Sequence, residues 1–186
     1  MKYIISVLCP DSPGIVYRIS SAIFSNGGNI ADMSQTVLKG FFTGVVYAVF
    51  DEKPDTDKLK NDINVKGDYR VNIVLFQENK FETVPYDRYI LTVKCREQKG
   101  IVAGVTEYLY NNNINIESFS AFTEDLEFVI VSEISVPGDR VARRIKKDIK
   151  SMGEGWDMSV HLSHENIYLA TNTVCPTVRI GRTEKQ

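Results

Sequence analysis

The chain has 186 residues, a net charge of −2 at pH 7 and a sequence pI of about 5.8, so it lacks the positive charge that attracts proteins to nucleic acid or anionic lipid. Residues 1–5 already alternate like a strand, without a charged leader, a long apolar stretch or a cleavage pattern. We therefore expect a cytoplasmic protein with no membrane partner and no direct nucleic-acid partner. Three cysteines, Cys9, Cys95 and Cys175, do not form the pattern of a disulfide framework, and we expect reduced thiols.

An internal repeat relates the two halves of the chain. Residues 3–34 align with residues 89–120 at a spacing of 86 residues, without a gap and with 11 identities in 32 positions. Average composition alone would give roughly 2 identities. We therefore expect two copies of one module packed side by side, joined by a short linker and followed by a tail that is either an added strand or mobile. The predicted bounds are 1–80 for the first domain, 87–165 for the second and 166–186 for the tail.

The first copy changes its hydrophobic period in the order βαββαβ. Residues 2–9 alternate as a strand does, and Ile15, Ile19 and Ile23 then recur every four residues, as on one face of a helix. A first-turn proline, Pro13, is predicted to open this helix. The later elements are predicted as strands over 30–38 and 43–50 around a turn at 39–42, a helix over about 54–66 with Leu59 and Ile63 inward, and a strand over 69–75.

The second copy repeats that order. Its predicted elements are strand 88–95, helix 99–111, strands 115–123 and 127–135, helix 139–152 with Val141, Ile145 and Ile149 on one face, and strand 156–162. From the hairpin onward the best offset falls to 84, which pairs Val46 with Ile130 and predicts a second hairpin two residues shorter than the first. Both helices of such a unit must cover one face of a four-stranded antiparallel sheet. The predicted fold class is α+β, with two tandem ferredoxin-like modules whose cores contain Ile15, Ile19, Ile23, Ile101, Val105 and Leu109.

The loop before the first helix carries candidate binding residues. A helix start leaves backbone N–H groups unpaired and positively polarised, which suits a carboxylate. Gly14 permits close approach, and Asp11 could hold an ammonium group, so the loop could bind both ends of a small amino acid. The structural alternative is an ordinary helix start in which Asp11 or Ser12 is only a cap.

The residues Asp-Ser-Pro-Gly-Ile-Val at 11–16, followed by Asn-Gly-Gly-Asn-Ile at 26–30, resemble the D-x-P-G-I-V … G-x-N-I pattern of ACT domains, which are βαββαβ amino-acid-sensing modules. The second copy keeps its glycine and its Asn-Ile end but has Glu97 and Lys99 in place of the aspartate and proline. The resemblance implies that effectors bind where two modules meet, near the loop before the first helix and the start of the second strand. The implied positions are Asp11, Ser12, Pro13, Gly14, Ile15, Asn29 and Ile30 in the first copy, and Glu97, Gly100, Ile101, Asn115 and Ile116 in the second.

The function implied by the resemblance is regulatory. We expect a non-catalytic module that binds glycine or serine and signals to a regulatory protein partner, such as a transcriptional regulator, or within a homo-oligomer. A ligand-independent interaction module is the alternative, and a detached regulatory relative of an ACT-containing enzyme is a third reading. The sequence contains no phosphate loop, paired-histidine metal motif or nucleophile elbow, so we expect no enzyme activity, no cofactor and no metal. The run at residues 39–47 superficially matches an RNA-recognition motif. However, residues 40–42 fall in the predicted hairpin, the second copy lacks the run and the chain is acidic, so we do not expect RNA binding.

The two copies are not expected to be equal. Glu97 is one carbon longer than Asp11, and the neighbouring Lys99 can occupy its charge, so we expect the principal site in the first copy. Asn29 and Asn115 have an alternative role in shaping turns through their own backbone. Cys9 and Cys95 are expected to be small buried apolar residues.

Overall fold

The computed structural model describes residues 1–65, 67–78, 86–137, 142–152 and 157–165. These residues form two compact units, each with four strands and two helices. The predicted linker, the tail with Cys175, and Val141 lie wholly or mostly outside the described residues. None of the described helices is long and apolar enough to cross a membrane.

The first unit is a four-stranded antiparallel sheet in the order β2-β3-β1-β4, so β2 and β4 are its edges. Its elements are β1 Lys2–Pro10, α1 Ile15–Ser25, β2 Gly28–Leu38, β3 Phe41–Phe50, α2 Thr56–Ile63 and β4 Arg70–Leu75. Alternate residues of β1 are buried, and they form one cluster with the apolar sides of α1 and α2, so both helices cover the same face of the sheet. Asp55 caps α2 by accepting the N–H groups of Asp57 and Lys58 at 3.0 Å, and α2 therefore begins later than predicted.

The second unit has the same topology in the order β6-β7-β5-β8. Its elements are β5 Tyr86–Arg96, α3 Ile101–Asn111, β6 Asn115–Glu124, β7 Glu127–Pro137, α4 Ala142–Met152 and β8 Ser159–His164. All six predicted core residues of the two units are buried, as are Leu59, Ile63, Ile145 and Ile149. The structure confirms the α+β class with two tandem ferredoxin-like modules.

The predicted shortening of the second hairpin is wrong. Ile30 pairs with Ala48 in the first unit and Ile116 with Ile134 in the second, so the spacing of 86 continues through both hairpins. Both two-residue turns, at 39–40 and 125–126, have positive φ at each residue, and β3 therefore begins at Phe41 rather than at residue 43. A strand repeats its side-chain direction every two residues, so a slip of two leaves the apolar pattern unchanged and cannot be detected from it.

The copies differ in length before their last strand. Leu75 pairs with Tyr3 in the first unit and His164 pairs with Tyr89 in the second, so β8 lies three residues further along the repeat than β4. As a result β8 begins at Ser159, later than predicted. The strand β2 also begins earlier than predicted, at Gly28, because only Asn26 and Gly27 are needed to end α1.

Candidate functional site

The loop before α1 is built around a left-handed glycine. Gly14 has φ 87° and precedes the first residue of the helix, and Gly100 has φ 94° at the equivalent position before α3. The first α1 bond runs from the N–H of Arg18 to the carbonyl of Gly14, which leaves the N–H groups of residues 15–17 without helical partners. The predicted first-turn role of Pro13 is wrong, because Pro13 lies before the helix cap.

Neither Asp11 nor Ser12 caps α1, since no described side chain accepts a hydrogen bond from an N–H group at this helix start. The main-chain N–H of Asp11 donates to the carbonyl of Gly40 at 2.8 Å, which ties the loop to the turn between β2 and β3. The exposed Asp11 carboxylate has no hydrogen bond or ion pair with any residue that the structure describes. The helix-cap interpretation of Asp11 is therefore wrong, and its charge is available to a ligand.

Arg18 also lies at this loop, although its position in the sequence gave no signal. Its Nη2 donates to the carbonyl of Pro13 at 3.0 Å, and its Cζ lies 6.0 Å from the centroid of the Tyr69 ring. Tyr69 lies in the connection between α2 and β4, so it comes close to Arg18 only in the folded chain. Burial raises the pKa of the nearby Cys9 thiol; the charges of Asp68 and Asp11 raise it further, while that of Arg18 lowers it. Cys9 is therefore a buried neutral thiol and no nucleophile.

The equivalent loop of the second copy uses its acidic residue internally. The hydroxyl of Thr123 donates to the carboxylate of Glu97 over a long 3.4 Å. Lys99 makes no ion pair with Glu97 within the described part of the chain, so the predicted internal cation is wrong. Burial and the charge of Glu127 raise the pKa of the Cys95 thiol. The two loops share a backbone conformation but not a free carboxylate.

Asn29 and Asn115 also differ in whether their side chains are hydrogen-bonded. The side chain of Asn29 is exposed and has no hydrogen bond to another described residue. Asn115 instead donates to the carboxylate of Glu117 at 2.8 Å, and the hydroxyl of Ser135 donates to the same carboxylate at 2.7 Å. Together these bonds, with that from Ser135 the stronger, lower the pKa of Glu117. Of the two asparagines, only Asn29 is left unengaged.

The side-chain bonds that shape the helix ends come from Asn26 and Asn112, and not from Asn29 and Asn115, for which turn shaping was the alternative role. Asn26 and Asn112 each donate their side-chain amide at 2.8 Å to a carbonyl one turn earlier, that of Ala22 and that of Tyr108. Both residues are the C-caps of their helices. Both asparagine pairs are spaced by 86 residues in the sequence. The sequence alone therefore does not distinguish the asparagines that cap helices from those that are candidates for ligand binding.

The two halves of the predicted site lie at opposite ends of one module. Asp11 is bonded to the turn that joins β2 and β3, whereas Gly28 and Asn29 pair with the far end of β3, at Phe50 and Val49. The eleven residues of α1 separate these ends by about 16 Å at 1.5 Å per residue. One ligand the size of an amino acid cannot contact Asp11 and Asn29 of the same module.

The predicted apolar site residues face inward. The side chains of Ile15 and Ile101 are 3% and 1% exposed in the two cores, and Ile30 and Ile116 pack partly buried against them. The side chains of Ile15 and Ile101 are therefore inaccessible to a ligand at the surface, whereas those of Ile30 and Ile116 are partly exposed. Ser12 is half-buried, with no hydrogen bond to a described residue.

Two shallow grooves lie on the first unit. One of about 420 Å³ follows α1 to the start of β2 and includes Asn29; its other lining residues are Tyr17, Ser20, Ser21, Ile23, Phe24, Gly28 and Ile30. The second lies on the sheet and is lined by Ser6, Val7, Leu8, Thr43, Arg70, Val71 and Asn72. Neither groove contains Asp11 or Gly14.

The histidines do not form a metal site within the described residues. His161 and His164 pair with Thr92 and Tyr89, which lie on opposite faces of β5. The Nε2 atom of His161 is hydrogen-bonded to the Ser163 hydroxyl at 2.8 Å. Among the described side chains no three His, Cys, Asp or Glu are grouped so that they could hold a metal ion.

A duplicated βαββαβ module with a left-handed glycine before its first helix defines a tandem ferredoxin-like architecture. The chain belongs to the ACT domain family, whose model matches residues 3–64 and 89–154. ACT domains are regulatory modules that typically bind amino acids and assemble into oligomers.

Three known proteins show the extent of the similarity. A UPF0237 protein of Streptococcus pneumoniae serotype 4 is 43% identical over 67 residues, which are 36% of this chain and 76% of the relative. A structure described as a glycine cleavage system transcriptional repressor has a TM-score of 0.64 at 17% identity over 87% of this chain and 95% of its own, and it shows the same fold. A formyltetrahydrofolate deformylase of Pseudomonas putida is 26% identical over 43% of this chain and 29% of its own, with a TM-score of 0.40.

Proposed function

We propose that this protein is a non-catalytic cytoplasmic regulator that binds a small amino acid, glycine or serine, at the Asp11–Gly14 loop and signals to another protein. One observation carries the proposal: the free Asp11 carboxylate lies beside a helix start whose N–H groups are unpaired. The carboxylate can take the ammonium group of the ligand, and the helix start favours the carboxylate of the ligand. Membership of the ACT family supports an amino acid as the ligand.

The proposed site needs a second module. Asn29 lies too far from Asp11 in its own module, and β2 is an edge strand whose outer side has no partner among the described strands of its sheet. We propose that the Asn29 end of β2 in one chain meets the Asp11 loop of another, in a two-fold dimer that contains two equivalent sites. The resemblance to ACT domains supports this arrangement.

Calorimetric titration tests the proposal. Verified ligand-free protein is titrated with glycine, serine, alanine, aspartate and lysine, and the mass of the assembly is measured with and without each. We expect glycine or serine to bind and to shift the chain toward dimers. Silence across the panel would favour a ligand-independent interaction module, and turnover of any of these amino acids would show an enzyme.

A mixing experiment tests whether the site spans two chains. Asp11→Asn and Asn29→Ala proteins are each expected to bind weakly, whereas a dimer of one of each contains one intact site and one doubly altered site. Random exchange should restore about a quarter of the wild-type sites, because half of the dimers are mixed and each carries one intact site. Absence of any recovery, after exchange is demonstrated with labelled chains, would place both residues in separate sites.

A further inference from the structure

Arg18 is held at the binding loop with most of its donors free. Its guanidinium reaches back from the first turn of α1, donates to the Pro13 carbonyl at 3.0 Å and lies over Tyr69. Within the described residues no other partner takes its remaining N–H groups, and the side chain is half-buried. A positioned guanidinium with free donors is suited to bind a carboxylate.

Asp11 and Arg18 carry opposite charges at the same loop and make no ion pair with each other within the described residues. Besides burial, the charges of Asp68 and Asp11 raise the pKa of the Cys9 thiol, at the end of β1, and the charge of Arg18 lowers it. A zwitterion offers an ammonium for Asp11 and a carboxylate for Arg18. The arrangement therefore suits a free α-amino acid better than an amine or a carboxylic acid alone.

The Tyr69 side chain, whose ring Arg18 contacts, carries an unsatisfied polar group. The residue is 5% exposed, and its hydroxyl is buried without a hydrogen-bond partner among the described residues. A buried donor without a partner is unfavourable, and it is uncommon in folded proteins. The Tyr69 ring therefore contacts Arg18, while the Tyr69 hydroxyl has no hydrogen-bond partner among the described residues.

The second copy lacks equivalents of both Arg18 and Tyr69. Gly104 occupies the position of Arg18 in the repeat, and Met158, which precedes β8 as Tyr69 precedes β4, occupies the position of Tyr69. The pair is therefore a feature of the first copy and not a requirement of the fold. It coincides with the copy whose acidic residue is free.

We propose that Arg18 binds the α-carboxylate of the amino acid at this loop while Asp11 binds its ammonium group, which restricts the site to zwitterionic ligands. This inference rests on the proposed function and assigns the recognition of each end of the ligand. It also predicts weaker binding by the second copy, because Gly104 stands there at the position of Arg18.

The test compares an amino acid with its amide, which keeps the ammonium and replaces the carboxylate by a neutral group. Glycine and glycinamide, or serine and serinamide if serine is the ligand, are titrated into the wild type, Arg18→Gln and Arg70→Gln. Arg70 is a matched control, since it is exposed at the same end of the sheet beside Leu8. We expect the wild type and Arg70→Gln to prefer the amino acid by about tenfold or more. Arg18→Gln should lose that preference.

Preservation of the preference in folded Arg18→Gln would overturn the assignment and leave the proposed function intact. Failure of the wild type to bind either amino acid would overturn both. If Arg18→Gln does not fold, the test uses Arg18→Lys instead. Lysine keeps the positive charge but lacks the planar guanidinium that can bind a carboxylate through two hydrogen bonds. Reduced affinity for the amino acid with an unchanged melting temperature supports the assignment, and unchanged affinity contradicts it.

Discussion

The ring of Phe50 fills the space that a side chain on Gly28 would need. The two residues pair across β2 and β3, and a Cβ atom on Gly28 would lie 2.7 Å from Cδ1 and 2.8 Å from Cζ of that ring. In the second copy the relative sizes are reversed: the larger Ile114 replaces Gly28, and the smaller Val136 replaces Phe50. A large residue on one strand thus permits only a small one on the other.

We expect Gly28→Ala to destabilise the protein. Overpacking against the Phe50 ring costs about 1–3 kcal/mol, which exceeds the 0.5–1 kcal/mol that alanine gains over glycine in a strand. Urea unfolding gives the free energy directly. The double variant with Phe50→Leu should recover part of the loss, and a double variant no more stable than Gly28→Ala would show that the ring is not the cause.

The left-handed glycine at the loop predicts a graded series. At Gly14, valine should cost more than asparagine, since an ordinary L-residue loses about 1–2 kcal/mol in this conformation and asparagine adopts it more readily. The same order is expected at Gly100, which has open space around its Cα. Equal unfolding free energies for the valine and asparagine variants would show that the loop relaxes to negative φ.

Asp11→Asn should weaken amino-acid binding about tenfold or more, because a charge-assisted hydrogen bond is worth ~1.5–3 kcal/mol. Its melting temperature should stay unchanged, since Asp11 caps no helix. Glu97→Gln is the matched variant in the second copy and should change affinity less. A larger loss in Glu97→Gln would place the principal site in the second copy.

The buried thiols predict a loss of stability in alkali. The pKa values of Cys9 and Cys95 are raised in the folded chain, whereas unfolded thiols titrate near about 8.5. Above that pH the unfolded chain loses these protons first, so the unfolding free energy falls until the pH reaches the folded pKa values. Urea midpoints at pH 7.5 and 9.5, under reducing conditions, should differ less in the Cys9→Ala, Cys95→Ala double variant. An equal pH slope in both proteins would assign the decline to other groups.

Ser135→Ala should raise the pKa of Glu117, because the Ser135 hydroxyl is the main group that lowers it. A carboxyl with a lowered folded pKa adds stability above its unfolded value of about 4.3, and that stability is lost as the pH falls through the folded pKa. We expect a cost of about 1 kcal/mol at pH 7, reduced by solvent screening. Carboxyl NMR titration of the wild type and variant reports the shift, and coincident curves would refute the prediction.

The sequence by itself determined the duplicated module, its element order and its cores. Apolar period is a local property, so the four-residue spacing of Ile15, Ile19 and Ile23 gave the buried face of α1. The glycine loop was visible too, because left-handed backbone restricts residue type. The position of Pro13 was misjudged, since a helix boundary shifts by one or two residues without altering the period.

Tertiary structure alone decided which candidate side chains are free and which lie together. Asp11 and Asn29 are both near glycines of one sequence motif. However, α1 lies between them in the chain, so the two residues are at opposite ends of the sheet. The contact of Arg18 with Tyr69 joins residues 51 positions apart and leaves no periodic trace in the sequence. Such contacts arise only when the sheet brings distant strands together, because side-chain neighbours across a fold are set by register and packing and not by spacing along the chain.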